Sequence, residues 1–232
     1  MANLHFIGGE KGGVGKSLLA RVIAQYLIDR KIPFVGYDTD QSHGSFRRFY
    51  ADFASPVLID DFSSLDQVIE KLAEEPDKHA LVDLAAQTLR HLKIWSDASA
   101  MSEILAENQH RAVFWHVMDD SLDSLATLGD VVEAFGPGAS YVVVFNHGRG
   151  STFAHVEDSP QLETAKNLGA QVVNLQRLHE ASMRKIDQHS TSFWAAINRS
   201  DGPGALGLLE RQRVKVWLRR TYQDLEPILA PA

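Results

Sequence analysis

The chain has 232 residues, 44% of them hydrophobic and 23% charged, with a formal net charge of −7 and no cysteine. That length suits one large α/β domain with a full core, while the missing thiols exclude disulfides, thiolate metal sites and cysteine-held iron–sulfur clusters. The acidic balance argues against a wholesale polyanion binder but leaves room for a local basic patch, which the C-terminus contains, and no apolar run is long enough to span a bilayer. The start, MANLHF, lacks a basic and then apolar leader, so a cytoplasmic location is expected.

Leu4 to Gly8 (LHFIG) predicts a short buried strand that runs into a glycine loop. From Lys16 to Arg30, apolar Leu19, Val22, Ile23, Tyr26 and Leu27 recur at helical spacing. A second strand begins at Pro33 and ends at Asp38, completing a unit of the kind that builds parallel sheets. A weak strand is expected at Val57 to Ile59, then a helix around Leu65 to Leu72, a strand at Ala80 to Val82 ending in Asp83, and a helix near Ala98 to Glu107. Ala112 to Val117 and Tyr141 to Phe145 read as strands, with a helix at Leu122 to Phe135 between them. Gln171 to Leu175 reads as the last strand, followed by short helices at Leu178 to Asp187 and Phe193 to Ile197. The stretch Ser200 to Gly207 breaks the chain before a final helix, Leu208 to Leu225.

This alternation predicts an α/β fold with a doubly wound, mostly parallel sheet and helices on both faces. Ligands in such folds bind at the carboxyl ends of the strands. Residues 1–200 are expected to form the core, and 201–232 a basic amphipathic helix packed on the same domain.

Between the first strand and the first helix lies GEKGGVGKS. Gly15-Lys16-Ser17 completes the phosphate-loop pattern G-x-x-x-x-G-K-[ST], with Glu10 where its first glycine would stand. Gly12, Gly13 and Gly15 let successive N–H groups turn inward, and the following helix adds its positive end. Lys16 would reach the β- and γ-phosphates and the Ser17 hydroxyl would ligate Mg²⁺. A second cation, Lys11, is not needed for that work.

KGGVGKS resembles the deviant Walker A motif, K-G-G-x-G-K-[ST], of the ParA/MinD family of P-loop ATPases. The resemblance runs in outline along the whole chain and is specific at a few motifs. It implies an ATP- and Mg²⁺-dependent switch that forms a sandwich homodimer, in which Lys11 reaches across a two-fold interface to the partner's phosphates. Gly12, Gly13, Val14, Gly15, Lys16, Ser17 and Leu18 would form the nucleotide cradle. YDTDQS resembles the family's D-x-D-P-Q segment without the proline usual after Asp40. By that match Asp40 holds the attacking water or the Mg²⁺ shell, and Asp38 supports it. HALVD resembles Walker B, with Asp83 holding Mg²⁺ through a water; Leu84-Ala85-Ala86 depart from the residues that often follow. Asn146, after YVVVF, stands where the family contacts adenine, and no N-K-x-D pattern for guanine follows it.

The final helix carries Arg211, Arg213, Lys215, Arg219 and Arg220, with Val214, Trp217, Leu218, Tyr222 and Leu225 on one face. The plain reading is a helix docked on the sheet. Nonspecific DNA and, less favoured because of Asp224, Glu226 and two prolines, a membrane surface are the family's alternatives. Arg47 and Arg48 are either a phosphate-facing pair or a helix surface. The ten histidines show no metal-site spacing. The chain is expected to start at its phosphate-loop strand, without the DNA-binding extension of the larger partition ATPases, and to need a partner protein that stimulates hydrolysis. Two rivals stay open: a dethiobiotin-synthetase-like ligase or kinase on the same scaffold, and a nucleotide-binding module that has lost hydrolysis.

Overall fold

In the computed structural model, residues 2–230 are described. Each apolar strand is followed by a helix, so strands meet side by side in one direction. In chain order the elements are β1 (Leu4–Gly8), α1 (Lys16–Arg30), β2 (Phe34–Asp38), α2 (Ser45–Phe49), β3 (Ala54–Pro56), α3 (Phe62–Glu74), β4 (His79–Asp83), α4 (Leu89–Ala98) and α5 (Met101–Glu107). There follow β5 (Ala112–Met118), α6 (Leu122–Phe135), β6 (Ser140–Asn146), α7 (Ala154–Glu157), α8 (Pro160–Asn167), β7 (Gln171–Leu175), α9 (Glu180–Gln188), α10 (Phe193–Asn198) and α11 (Leu208–Leu229). The strands form one parallel sheet in the order β3-β2-β4-β1-β5-β6-β7. The chain winds outward to β3, returns to lay β4 beside β1, and only then builds the other half. The end of β1, where the winding reverses, is where a doubly wound sheet opens a ligand crevice.

The strands alternate between two cores, as their period of two requires. Val113, Trp115 and Val117 of β5 face a core shared with α1, α2, α9, α10 and α11. Ala112, Phe114 and Met118 face the other, shared with α3, α4, α5, α6, α7 and α8.

Several element boundaries differ from the sequence-based expectation. The edge strand is Ala54–Pro56, not Val57 to Ile59. Its partner β2 ends at Asp38, opposite Pro56, so after the last bond from Val57 N to Asp38 O nothing remains to pair with. Helices α2, α4, α7 and α8 lie where none was expected, and α5 begins at Met101 rather than Ala98. The signal for α8 is present in the sequence: Ser159 caps it by accepting from Leu162 N, and Pro160 takes the first helical position. Helix α9 starts at Glu180, two residues late, and α11 runs through Pro227 to Leu229.

The apolar face of α11 lies inside the first core, with Val214, Leu218, Leu225 and Leu229 at most 2% exposed. Trp217 Nε1 donates to the Gln176 carbonyl at 2.6 Å, and Tyr222 Oη donates to Asp29 at 2.9 Å. Arg213, Lys215, Arg219 and Arg220 stay on the exposed side. Among the described residues no helix is long and apolar enough to cross a membrane.

At the amino end of the sheet, Trp115 Nε1 donates to His5 Nδ1 at 3.1 Å. His5 must therefore carry its proton on Nε2 and pass it toward His79 Nδ1, 2.9 Å away. Burial drives both rings toward the neutral form, His5 well below the usual range and His79 down to about 4. Buried His116, near the other end, is likewise lowered to about 4. In the unfolded chain each titrates near about 6.5. Between that value and about 4 the unfolded state binds more protons, so stability is full above the window and is lost as pH falls through it. Calorimetric melting temperatures are expected to fall from pH 7 to pH 5, with a shallower fall in His79→Gln. An equal fall in both proteins would show that His79 does not contribute.

Candidate functional site

Strand β1 delivers Gly8 to the carboxyl edge, and α1 begins eight residues later at Lys16. No side chain caps α1 and no acidic residue sits in its first turn, so its N-terminal N–H groups face the cleft uncompensated. Gly15 adopts φ 107°, and a Cβ there would lie 2.3 Å from Asn146 Nδ2. Both facts demand glycine. Asn146 is 1% exposed; its amide donates to the Val14 carbonyl at 2.7 Å and accepts from Gly148 N at 2.9 Å. Its side chain thus holds the loop, and contact with a base would have to share those bonds. Gly12 and Gly13 face open space, Val14 is buried, and Leu18 lines the cleft.

Lys16 is 8% exposed, with Nζ donating to the carbonyls of Gly9 (2.8 Å) and Lys11 (2.9 Å). Burial lowers its pKa, against the pull of Asp83, Glu10 and Asp40. Lys11 turns the other way. Its Nζ meets Asp119 Oδ2 at 2.7 Å and Ser121 Oγ at 2.8 Å, both in its own chain. The Asp119 hydrogen bond raises the Lys11 pKa. Asp119 is held far below the usual carboxylate range: partial burial opposes this, but the bonds from Lys11, Ser121 and Ser124 prevail.

Three carboxylates stand at the ends of β2 and β4. Asp83 is 2% exposed, and neither of its oxygens has a hydrogen-bond partner. Burial pushes it up to about 8, with the Asp38 and Asp40 charges adding and nearby Ser17 and Lys16 opposing. Such a buried carboxyl beside a hydroxyl fits a divalent cation, whose charge would favour the ionised form that burial opposes. Among the described residues no three His, Cys, Asp or Glu side chains gather to hold a metal. A cation here would therefore draw on Ser17, Asp83, water and phosphate. Asp40 lines the cleft and accepts from Ser42 N and His43 N. Partial burial opposes ionisation there, but those two N–H groups keep its pKa lowered. Asp38 sits behind it, 1% exposed, accepting from Asp40 N and Arg47 N at 3.0 Å each. A metal contact from Asp38 would require giving up one of those bonds.

Sequence reasoning missed two fasteners. Glu10 accepts from Thr88 N (3.0 Å) and Leu89 N (2.9 Å), tying the glycine loop to the start of α4. Thr39 Oγ1 donates to Asp83 O and accepts from Ala85 N, joining the segments after β2 and β4. The cleft itself has two lobes. One, about 440 Å³, is bounded by Gly12, Lys16, Ser17, Asp40 and Asp83; the other, about 400 Å³, by Asn146 and residues of the β7–α9 region. Leu18, Arg149, Met183 and Asp187 border both. The size and continuity of this trough suit a nucleotide.

Sheet order, glycine loop and crevice define the doubly wound α/β fold of P-loop NTPases. The particular form is that of the MinD and ParA ATPases. MinD from Aquifex aeolicus superposes with a TM-score of 0.57 at 14% identity, over 96% of this chain and 97% of that one. The Aquifex aeolicus MinC:MinD cell division complex gives 0.56 at 12% identity, covering 100% and 98%. A ParA family ATPase from Chlorobium tepidum gives 0.51 at 14%, covering 94% and 98%. In sequence, the chain is 24% identical to protein TraL of Escherichia coli over 97% of this chain and 98% of that protein. It is 27% identical to protein MobD of Acidithiobacillus ferrooxidans over 62% of this chain, a match spanning 63% of MobD's own length. No protein-family model matches.

Gly15→Ala is expected to cost about 2 kcal/mol or more from backbone strain and the Asn146 clash, read as a lower urea midpoint. Glu10→Ala removes the α4 cap and should cost about 1 kcal/mol in the same assay. An unchanged midpoint would mean that the tie between loop and helix contributes nothing.

Proposed function

We propose that the chain is a Mg²⁺-dependent ATPase that works as a molecular switch, dimerising face to face on ATP and separating after hydrolysis. The observation that carries this reading is one arrangement: an uncapped helix N-terminus, buried Lys16, Ser17 and unpartnered Asp83 around a single crevice. Phosphoryl transfer needs positioning and charge neutralisation more than covalent help. Lys16 and the free N–H groups bind the phosphates, and Ser17 with Asp83 holds the ion. Asp40 orients water, with Asp38 fixing the segment that carries it. Asn146 anchors the loop next to the base. Bound Mg²⁺ supplies positive charge toward the phosphates.

In this reading Lys11 leaves Asp119 and Ser121 to serve the partner subunit's nucleotide. The two nucleotide states then differ in affinity for a second copy, which is what a switch requires. A partner protein that stimulates hydrolysis belongs to the cycle; that a protein of this fold binds another protein is seen in the complex of MinD with MinC. The exposed arginines of α11 are the surface for nonspecific DNA, and the burial of that helix's apolar side counts against a lipid-bound role. A cytoplasmic setting suits all of these parts.

One observation favours a second reading. Lys11 is satisfied within its own chain, as a monomeric ligase or kinase of small molecules would have it. The solution mass of Asp40→Ala, measured with Mg²⁺ and either ATP or ADP, decides. Dimer with ATP alone, lost when Lys11→Ala is added, supports the switch. Monomer with both nucleotides removes it in favour of the monomeric enzyme.

A further inference from the structure

The phosphate lobe is lined by four cations from this chain: Lys16, Arg21, Arg48 and Arg149. Two are already engaged. Lys16 is bound to loop carbonyls, and Arg21 is 5% exposed, paired with Asp187 at 2.9 Å and stacked 3.9 Å from the Phe49 ring centroid. Lys11, the other cation of the loop, is absent from the lining and held by Asp119. Arg48 and Arg149 differ from all of these. Both are exposed, and among the described residues neither has a carboxylate partner.

We infer that Arg48 and Arg149 form a clamp, supplied by the same subunit, on the phosphates of the nucleotide. Arg48 takes the terminal phosphate and Arg149 the phosphate nearest the ribose. The assignment follows from where each one stands. Arg48 borders only the phosphate lobe, on the side of Asp40 and Ser45, whereas Arg149 borders both lobes at their junction.

The mounting of Arg48 is firm although its guanidinium is free. Its own N–H donates to Gly44 O, its neighbour's donates to Asp38, and Phe46 is fully buried against Gly36. The guanidinium lies 5.2 Å from the Phe49 ring centroid, which steadies it without neutralising it. Arg149 is fixed through its N–H to Asn146 O, in the same turn that secures the glycine loop. A guanidinium suits the task because its planar fork meets two phosphate oxygens at once. Such a clamp lets one subunit hold a triphosphate without Lys11 from a second.

This rests on the nucleotide-binding reading above, and the test separates the two. Calorimetric titrations with ATP, ADP and AMP are made on wild type, Arg48→Ala and Arg149→Ala, each also carrying Lys11→Ala to keep the chain monomeric. Arg48→Ala should weaken ATP about tenfold and leave ADP unchanged, whereas Arg149→Ala should weaken all three about tenfold. If Arg48→Ala lowers the melting temperature, Arg48→Gln, which keeps a long polar side chain without the charge, is titrated in its place. Binding of ATP and ADP at an unchanged ratio after loss of Arg48, or no loss with Arg149→Ala, overturns the clamp and leaves nucleotide binding intact. Failure of the parent protein to bind any of the three overturns both.

Discussion

Asp83 is a carboxyl folded into the end of β4 whose oxygens make no well-formed hydrogen bond, with the Ser17 hydroxyl its near neighbour. Leaving such a group unpaired costs more than a typical hydrogen bond contributes, so a stable chain that does so must gain elsewhere. Its surroundings are organised about this deficit. Lys16, a nearby counter-charge, spends its ammonium protons on the carbonyls of Gly9 and Lys11 rather than on Asp83. The Ser17 hydroxyl stands close, and the rest of the space is open to the crevice. In the proposed ATPase this deficit would be met from outside, by a cation that brings its own water and phosphate ligands.

Around that deficit the loops are fastened to one another and to the ends of the elements beside them. Glu10 joins the glycine loop to α4, Thr39 joins the ends of β2 and β4, and Asn146 joins the loop to β6. Each fastener is a side chain bonded to backbone. Lys11 and Asp119 add a fourth tie, the one that the dimer reading requires to open.

The fold was legible because parallel strands buried on both faces read as apolar runs, and β2, β4 and β6 end on Asp38, Asp83 and Asn146. YVVVF and HALVD could hardly be anything else. Weaker elements were hidden for physical reasons. The edge strand β3 is three residues long and contains a proline, and α2 and α7 are too short for a helical period to appear. At the site, the motif residues were visible because their spacing is fixed by phosphate geometry. Glu10, Thr39 and Arg149 were not, since their roles depend on neighbours 44 to 79 positions away or on a cleft that exists only after folding. Arg48 stood between two readings, and only the lining of the crevice separates them.

The bond from Trp217 to the Gln176 carbonyl gives α11 a role beyond covering the core. Gln176 borders the lobe beside Asn146, so the indole grips the wall of the crevice from behind. Helix α11 has 22 residues, a rod about 33 Å long. A shift of residues 176–178 either breaks the indole bond or carries the rod with it. The outer helix, whose arginines face outward, is in this way bonded directly to the wall of the crevice.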